Sequence, residues 1–72
     1  MEYREVLRYY LDREGITAAE LCRRMGKPRS SIGQIMSGKT KNPSVYKAKE
    51  IADALGVPLQ EMLDMLFDEQ SE

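Results

Sequence analysis

The sequence predicts an all-α chain folded as a compact bundle of five short helices. Apolar residues recur at spacings of three and four in five separate stretches, as in helices that bury one face. No stretch alternates apolar and polar residues with the period of two that a half-buried strand requires. Glycine, proline, serine and threonine fall between the five stripes, where helices end and begin.

Tyr3, Val6, Leu7, Tyr10 and Leu11 place the first helix at residues 3–14, ended by Gly15. Tyr9 falls off this stripe and is expected to be exposed. Ile16 stands just before a cap, where an apolar side chain can staple onto the next helix. Thr17 and Glu20 have the T-x-x-E spacing of a capping box, in which each side chain satisfies one orphan amide. Ala18, Leu21, Cys22 and Met25 then form the stripe of a second helix at 17–25. Gly26 closes it, in a position where helices often exit through a left-handed residue. Pro28 suits the first turn of a third helix at 28–37, because its missing N–H would be unpaired there anyway. Ile32, Ile35 and Met36 supply that helix's inward side, and Gly38 stops it.

Lys39-Thr40-Lys41-Asn42-Pro43 is a loop, since the residue before a proline is disfavoured as helix. Ser44 caps a fourth helix at 44–55 carrying Ala48, Ile51, Ala52 and Leu55, and Gly56 ends it. Pro58 opens a fifth helix at 58–67 with Leu59, Met62, Leu63, Leu66 and Phe67 on its stripe. Met65 lies beside that stripe and is expected at the surface, where methionine suits adaptable contacts. The acidic tail, residues 68–72, is expected to fray. The expected buried centre is Leu7, Leu11, Leu21, Cys22, Ile32, Ile35, Ile51, Leu55, Leu63 and Leu66.

With 72 residues the chain has room for one domain, residues 1–72, around a single modest core. The lone cysteine, Cys22, excludes an internal disulfide and suits a reducing compartment; on an apolar stripe it reads as core rather than nucleophile. No run is long enough to span a membrane and no basic-then-apolar leader is present, so a cytoplasmic protein without a membrane partner is expected.

The absence of histidine removes the usual general base, the triads and the common metal sites. Asp64 and Asp68 stand at i, i+4, but on an acidic helix face that reads as solvated surface. Residues 33–40, GQIMSGKT, match the phosphate-loop pattern G-x-x-x-x-G-K-[ST]. That loop's chemistry needs a preceding strand and a helix opening at its end, whereas here a helix runs through Gln34–Met36 and Pro43 follows almost at once. No enzyme, cofactor or metal is expected.

A binding role is legible instead. The second and third helices are too short to be stable alone and are joined by a glycine-containing turn, so residues 17–38 form a helix-turn-helix pattern. On the outward side of the third helix, Arg29, Gly33 and Ser37 share one row, and Ser30 and Gln34 the adjacent row. None is acidic or large and apolar. Arg and Gln can bond bidentately to guanine and adenine edges, and Ser can pair with either. Gly33 costs the helix about 1 kcal/mol relative to Ala, and leaves a gap through which a partner can approach the backbone.

The net charge of −1 conceals a strong asymmetry. Residues 23–49 carry Arg23, Arg24, Lys27, Arg29, Lys39, Lys41, Lys47 and Lys49 without an acid. Residues 50–72 carry Glu50, Asp53, Glu61, Asp64, Asp68, Glu69 and Glu72 without a base. The positive pole coincides with the helix-turn-helix, and it is this local field that a polyanion meets.

This order of features resembles the phage repressor and Cro (XRE-like) family of five-helix, lambda-repressor-like DNA-binding domains. The resemblance covers roughly residues 3–67. Its most specific parts are S-S-I-x-Q-I-x-S-G at 30–38, the GKTK-x-P loop at 38–43 and A-x-A-L-G-V at 52–57. It implies a transcriptional regulator, repressor-like, binding double-stranded DNA with its third helix in the major groove. An inverted-repeat operator and a weak homodimer on DNA, paired through the C-terminal helices and the loop before the fourth helix, would follow. Carried over by position, Arg29, Ser30, Gly33 and Gln34 take the base-facing places, and Lys39, Thr40, Lys41 and Asn42 the phosphate-contacting loop. The family usually has Gln just after the cap of its second helix; here Ala18 stands there. One anchor is therefore missing, and the amides that follow Thr17 at the helix start would hold the phosphate instead. A second class of function on the same fold is an antitoxin or phage accessory module whose acidic C-terminal helix binds another protein. The acid-free window favours DNA, because a pure protein-binding domain has no need of it.

Overall fold

The computed structural model describes residues 1–67. The tail expected to fray lies outside the described residues. Five helices occur in the order α1 (Tyr3–Glu14), α2 (Ala18–Met25), α3 (Ser30–Met36), α4 (Val45–Leu55) and α5 (Leu59–Leu66), with no strand among the described residues. The all-α class is as expected. None of these helices is long and apolar enough to cross a membrane.

The helix ends follow the chemistry of the punctuating residues. Thr17 Oγ1 accepts from the Glu20 amide at 3.1 Å, and Ser44 Oγ from the Lys47 amide at 3.2 Å. The reciprocal half of the expected capping box is not made among the described residues: the Glu20 carboxylate turns outward to Arg23 and Arg24. Gly26 takes a left-handed φ of 69°, so the chain leaves α2 sharply enough for α3 to cross it. Pro28 does not open α3 as expected. Its carbonyl accepts from the Ser31 amide in a turn, Arg29 is the cap, and the helix begins at Ser30. Pro58 likewise caps α5 from outside, with ψ 137°.

Leu7, Leu11, Leu21, Cys22, Ile32, Ile35, Ile51 and Leu55 are buried, joined by Tyr3, Val6, Tyr10, Ala48, Ala52 and Met62. α2 packs on α3 and α4, and α1 runs across α3, α4 and α5. The helix-turn-helix is thus fixed from behind by two other helices, which a pair of helices of eight and seven residues needs.

The fifth helix corrects the expected core. Met62, fully buried, takes the central place, while Leu63 and Leu66 are only half-buried. Met65, expected at the surface, packs half-buried against the core, and Phe67 is 57% exposed. An apolar stripe that spans 59, 62, 63, 66 and 67 is wider than one contact line, and packing against α1 and α4 selects Met62. The rest of the stripe borders an apolar cleft of about 200 Å³ between α5 and the start of α4, lined by Val45, Ala48, Leu59, Leu63, Leu66 and Phe67 among others.

Candidate nucleic-acid interface

Ile32 and Ile35 are buried, and they fix the rotation of α3. With these two side chains turned inward, Arg29, Ser30, Gly33, Gln34 and Ser37 are all exposed along the opposite side. The residues singled out for base contacts therefore share one continuous outer surface. A Cβ added at Gly33 would meet nothing within 4 Å, so internal packing does not require glycine there. The gap in the side-chain wall opens to the exterior.

The loop after α3 is fastened to it. The Thr40 amide donates to the Gln34 carbonyl at 3.0 Å, and Ser37 Oγ donates to the same carbonyl at 3.2 Å. The Gln34 backbone is thereby held twice, while its side-chain amide makes no hydrogen bond among the described residues and faces outward. Lys39, Lys41 and Asn42 are exposed and Thr40 is half-buried. Thr17 is exposed and Ala18 half-buried at the start of α2. Thr17 Oγ1 accepts the capping bond, which leaves its O–H available to donate alongside the amides that open α2.

Half of the basic window seen in the sequence is engaged in surface ion pairs. Arg23 and Arg24 meet Glu20 at 2.9 and 3.5 Å, Lys27 meets Glu50 at 3.6 Å, and Lys49 meets Asp53 at 2.8 Å. Arg29, Lys39, Lys41 and Lys47 have no carboxylate partner among the described residues. These four surround α3: one at its start, two in the loop past its end, and Lys47 across a polar cleft from it. That cleft, about 300 Å³, is lined by Ser30, Ser31, Gln34, Thr40, Ser44 and Lys47, together with Ile35 and Pro43. Lys47 was counted in the basic window but not among the contact residues. Its place beside Gln34 depends on how α4 packs, and no local spacing in the sequence announces it.

A protruding helix of neutral hydrogen-bonding side chains, ringed by uncompensated cations on a rigid three-dimensional frame, is the arrangement of a helix-turn-helix protein. A family model described as helix-turn-helix matches residues 7–62. The chain belongs to that family, in its phage repressor and Cro-like branch. Repressor protein C of Rhizobium phage 16-3 is 36% identical to it over 58 residues, which make up 81% of this chain and 21% of that protein. The chain spans about a fifth of the length of this relative. No solved structure matches it.

Proposed function

We propose that this chain is a sequence-specific, double-stranded DNA-binding transcriptional regulator of repressor type, acting in the cytoplasm. The observation that carries the reading is α3 itself: buried Ile32 and Ile35 turn Arg29, Ser30, Gly33 and Gln34 outward together, within a ring of cations that lack carboxylate partners among the described residues. In this reading α3 enters the major groove, where Gln34 takes an adenine edge, Arg29 a guanine edge or a neighbouring phosphate, and Ser30 either base. Gly33 lets the groove wall come close to the helix backbone. Lys39, Thr40, Lys41 and Asn42, with the Thr17–Ala18 helix start, hold phosphates and set the register. Lys47 adds charge to the same strand of backbone.

Two copies would pair on an inverted-repeat operator through α5 and the start of α4. The apolar cleft there, with Val45 74% and Phe67 57% exposed on its rim, offers both a hollow and projecting side chains on one face. A self-complementary face of that kind suits a two-fold contact. Asp64, exposed on α5, would repel its symmetry mate at low salt and keeps the pairing weak without DNA.

The test is selection of bound sites from a random duplex library. An inverted repeat with half-sites about one helical turn apart is expected. Recovery of no enriched sequence, with binding unaffected by base composition, would overturn sequence-specific recognition. Sedimentation that found a tight dimer joined away from α4 and α5 would overturn the pairing.

A further inference from the structure

We propose that Arg4, on the first helix and outside the helix-turn-helix, is a phosphate-binding residue of the same interface; the proposal rests on the DNA-binding reading above. The motif residues and the loop already account for contacts along 17–42, and nothing in the sequence connects residue 4 to them. The fold does. The Arg4 guanidinium lies against the backbone where α3 ends and the loop begins: a Cβ built on Gly38 would stand 3.0 Å from Arg4 Nη1 and 3.8 Å from Cζ. Gly38 has φ +89°, a conformation that side chains resist, and its bare α-carbon leaves the space that the guanidinium occupies.

At that place Arg4 is uncommitted. It makes no hydrogen bond among the described residues. Its carboxylate neighbour, Glu2, approaches Nε at 3.7 Å with both side chains about half exposed. Such a pair is weak and exchanges readily for a better anion. The planar guanidinium fork matches two oxygens of a phosphate, which a lysine ammonium cannot do. Lys39 and Lys41 belong to the loop itself and Arg4 reaches its start from another element, so a phosphate seated there would draw cations from two parts of the fold. Arg8, one turn along α1, shares a shallow cleft with Glu2, Glu5 and Arg4. Glu2 and Glu5 flank Arg4 at the start of α1, so a phosphate that binds there takes the place of Glu2 beside the guanidinium.

The experiment compares the parent chain with Arg4→Ala and Arg4→Lys on a mixed-sequence DNA duplex across a salt series, with circular dichroism of each protein. Alanine is the best helix former, so α1 should persist. Arg4→Ala is expected to lower the log–log salt slope by about 0.9, so that its affinity deficit shrinks about 3.5-fold between about 50 and about 200 mM salt. Arg4→Lys, which keeps the charge, should retain the parent slope. Equal binding by Arg4→Ala and parent would overturn the proposal. So would a loss at unchanged slope, which identifies a brace for the loop, or a loss of helix content, which identifies a role in folding. A parent chain that shows no salt-dependent binding to any duplex would instead sink the DNA-binding reading, and this proposal with it.

Discussion

The Tyr10 hydroxyl donates a 2.6 Å hydrogen bond to Glu61 Oε2, joining the middle of α1 to the first turn of α5 across 51 positions of sequence. Arg13 reinforces the pair: its Nη1 lies 3.4 Å from the same oxygen, and its guanidinium carbon 5.7 Å from the Tyr10 ring centroid. Tyr3, also on α1 and also buried, is the opposite case, since its hydroxyl has no hydrogen-bond partner among the described residues.

The same substitution should therefore have two outcomes. Tyr10→Phe removes a hydrogen bond to a charged acceptor and should destabilise the fold by about 1 kcal/mol, because half-exposed Glu61 regains water. Tyr3→Phe removes an unsatisfied hydroxyl and should be neutral or stabilising. Paired thermal melts decide: a Tyr3→Phe loss equal to that of Tyr10→Phe would contradict the assignment.

Both hydroxyls also predict an alkaline limit. Burial pushes Tyr3 up to about 12, and burial followed by the Glu61 hydrogen bond pushes Tyr10 up to about 12, from an ordinary value of 10.0. A raised folded value means that the native state holds its proton where the unfolded chain releases it. The resulting stability is fully present below pH 10 and is lost as pH rises from about 10 to about 12. Tyrosinate absorbance should show the two buried groups ionising together with loss of helical circular dichroism. Their ionisation near the ordinary value with the fold intact would refute this.

Leu21 and Ile32 are fully buried where the motif's two helices meet the rest of the bundle. Replacing either with Ala should cost about 2–5 kcal/mol, a large share of the stability of so small a domain. A melt indistinguishable from the parent would remove that residue from the core.

Gly33 separates folding from function. Gly33→Ala should stabilise α3 by up to about 1 kcal/mol, because nothing packs within 4 Å of the added methyl. The same methyl should weaken DNA binding by narrowing the gap that faces the groove. If affinity rose or stayed level as stability increased, the glycine would have no part in recognition.

Gln34 and the loop lysines should divide the binding energy. Gln34→Ala should lose about 1–3 kcal/mol on the selected site and little on a scrambled duplex. Lys39→Ala or Lys41→Ala should weaken both duplexes alike and lower the salt slope by about one unit. Equal Gln34→Ala losses on the two duplexes, measured at fixed salt, would take Gln34 out of the reading set.

Helix periodicity and end chemistry made the five helices and the outward side of α3 legible in the sequence, because both are local. The α3 start moved from Pro28 to Ser30, since a proline suits the turn before a helix as well as its first position. Long-range packing was not legible. Nothing local says whether Met62 or Leu63 faces inward on a wide apolar stripe. Charge counting located the basic window, yet could not tell that Glu20, Glu50 and Asp53 pair with half of its cations. The positions of Lys47 across the cleft from Gln34 and of Arg4 over Gly38 depend on α4 being docked on α1 and α2 and on α1 being docked on α3.

The bond from the Thr40 amide to the Gln34 carbonyl has a mechanical consequence. It ties the loop to the middle of α3, so in the proposed complex the depth to which the helix sinks would follow the height at which the loop rests on the sugar-phosphate strand. On a duplex whose groove is too narrow or too wide, the loop can grip while Gln34 is held short of, or beyond, its base. The chain would then act as a caliper, rejecting sequences by the stiffness and width of DNA at base pairs it never touches.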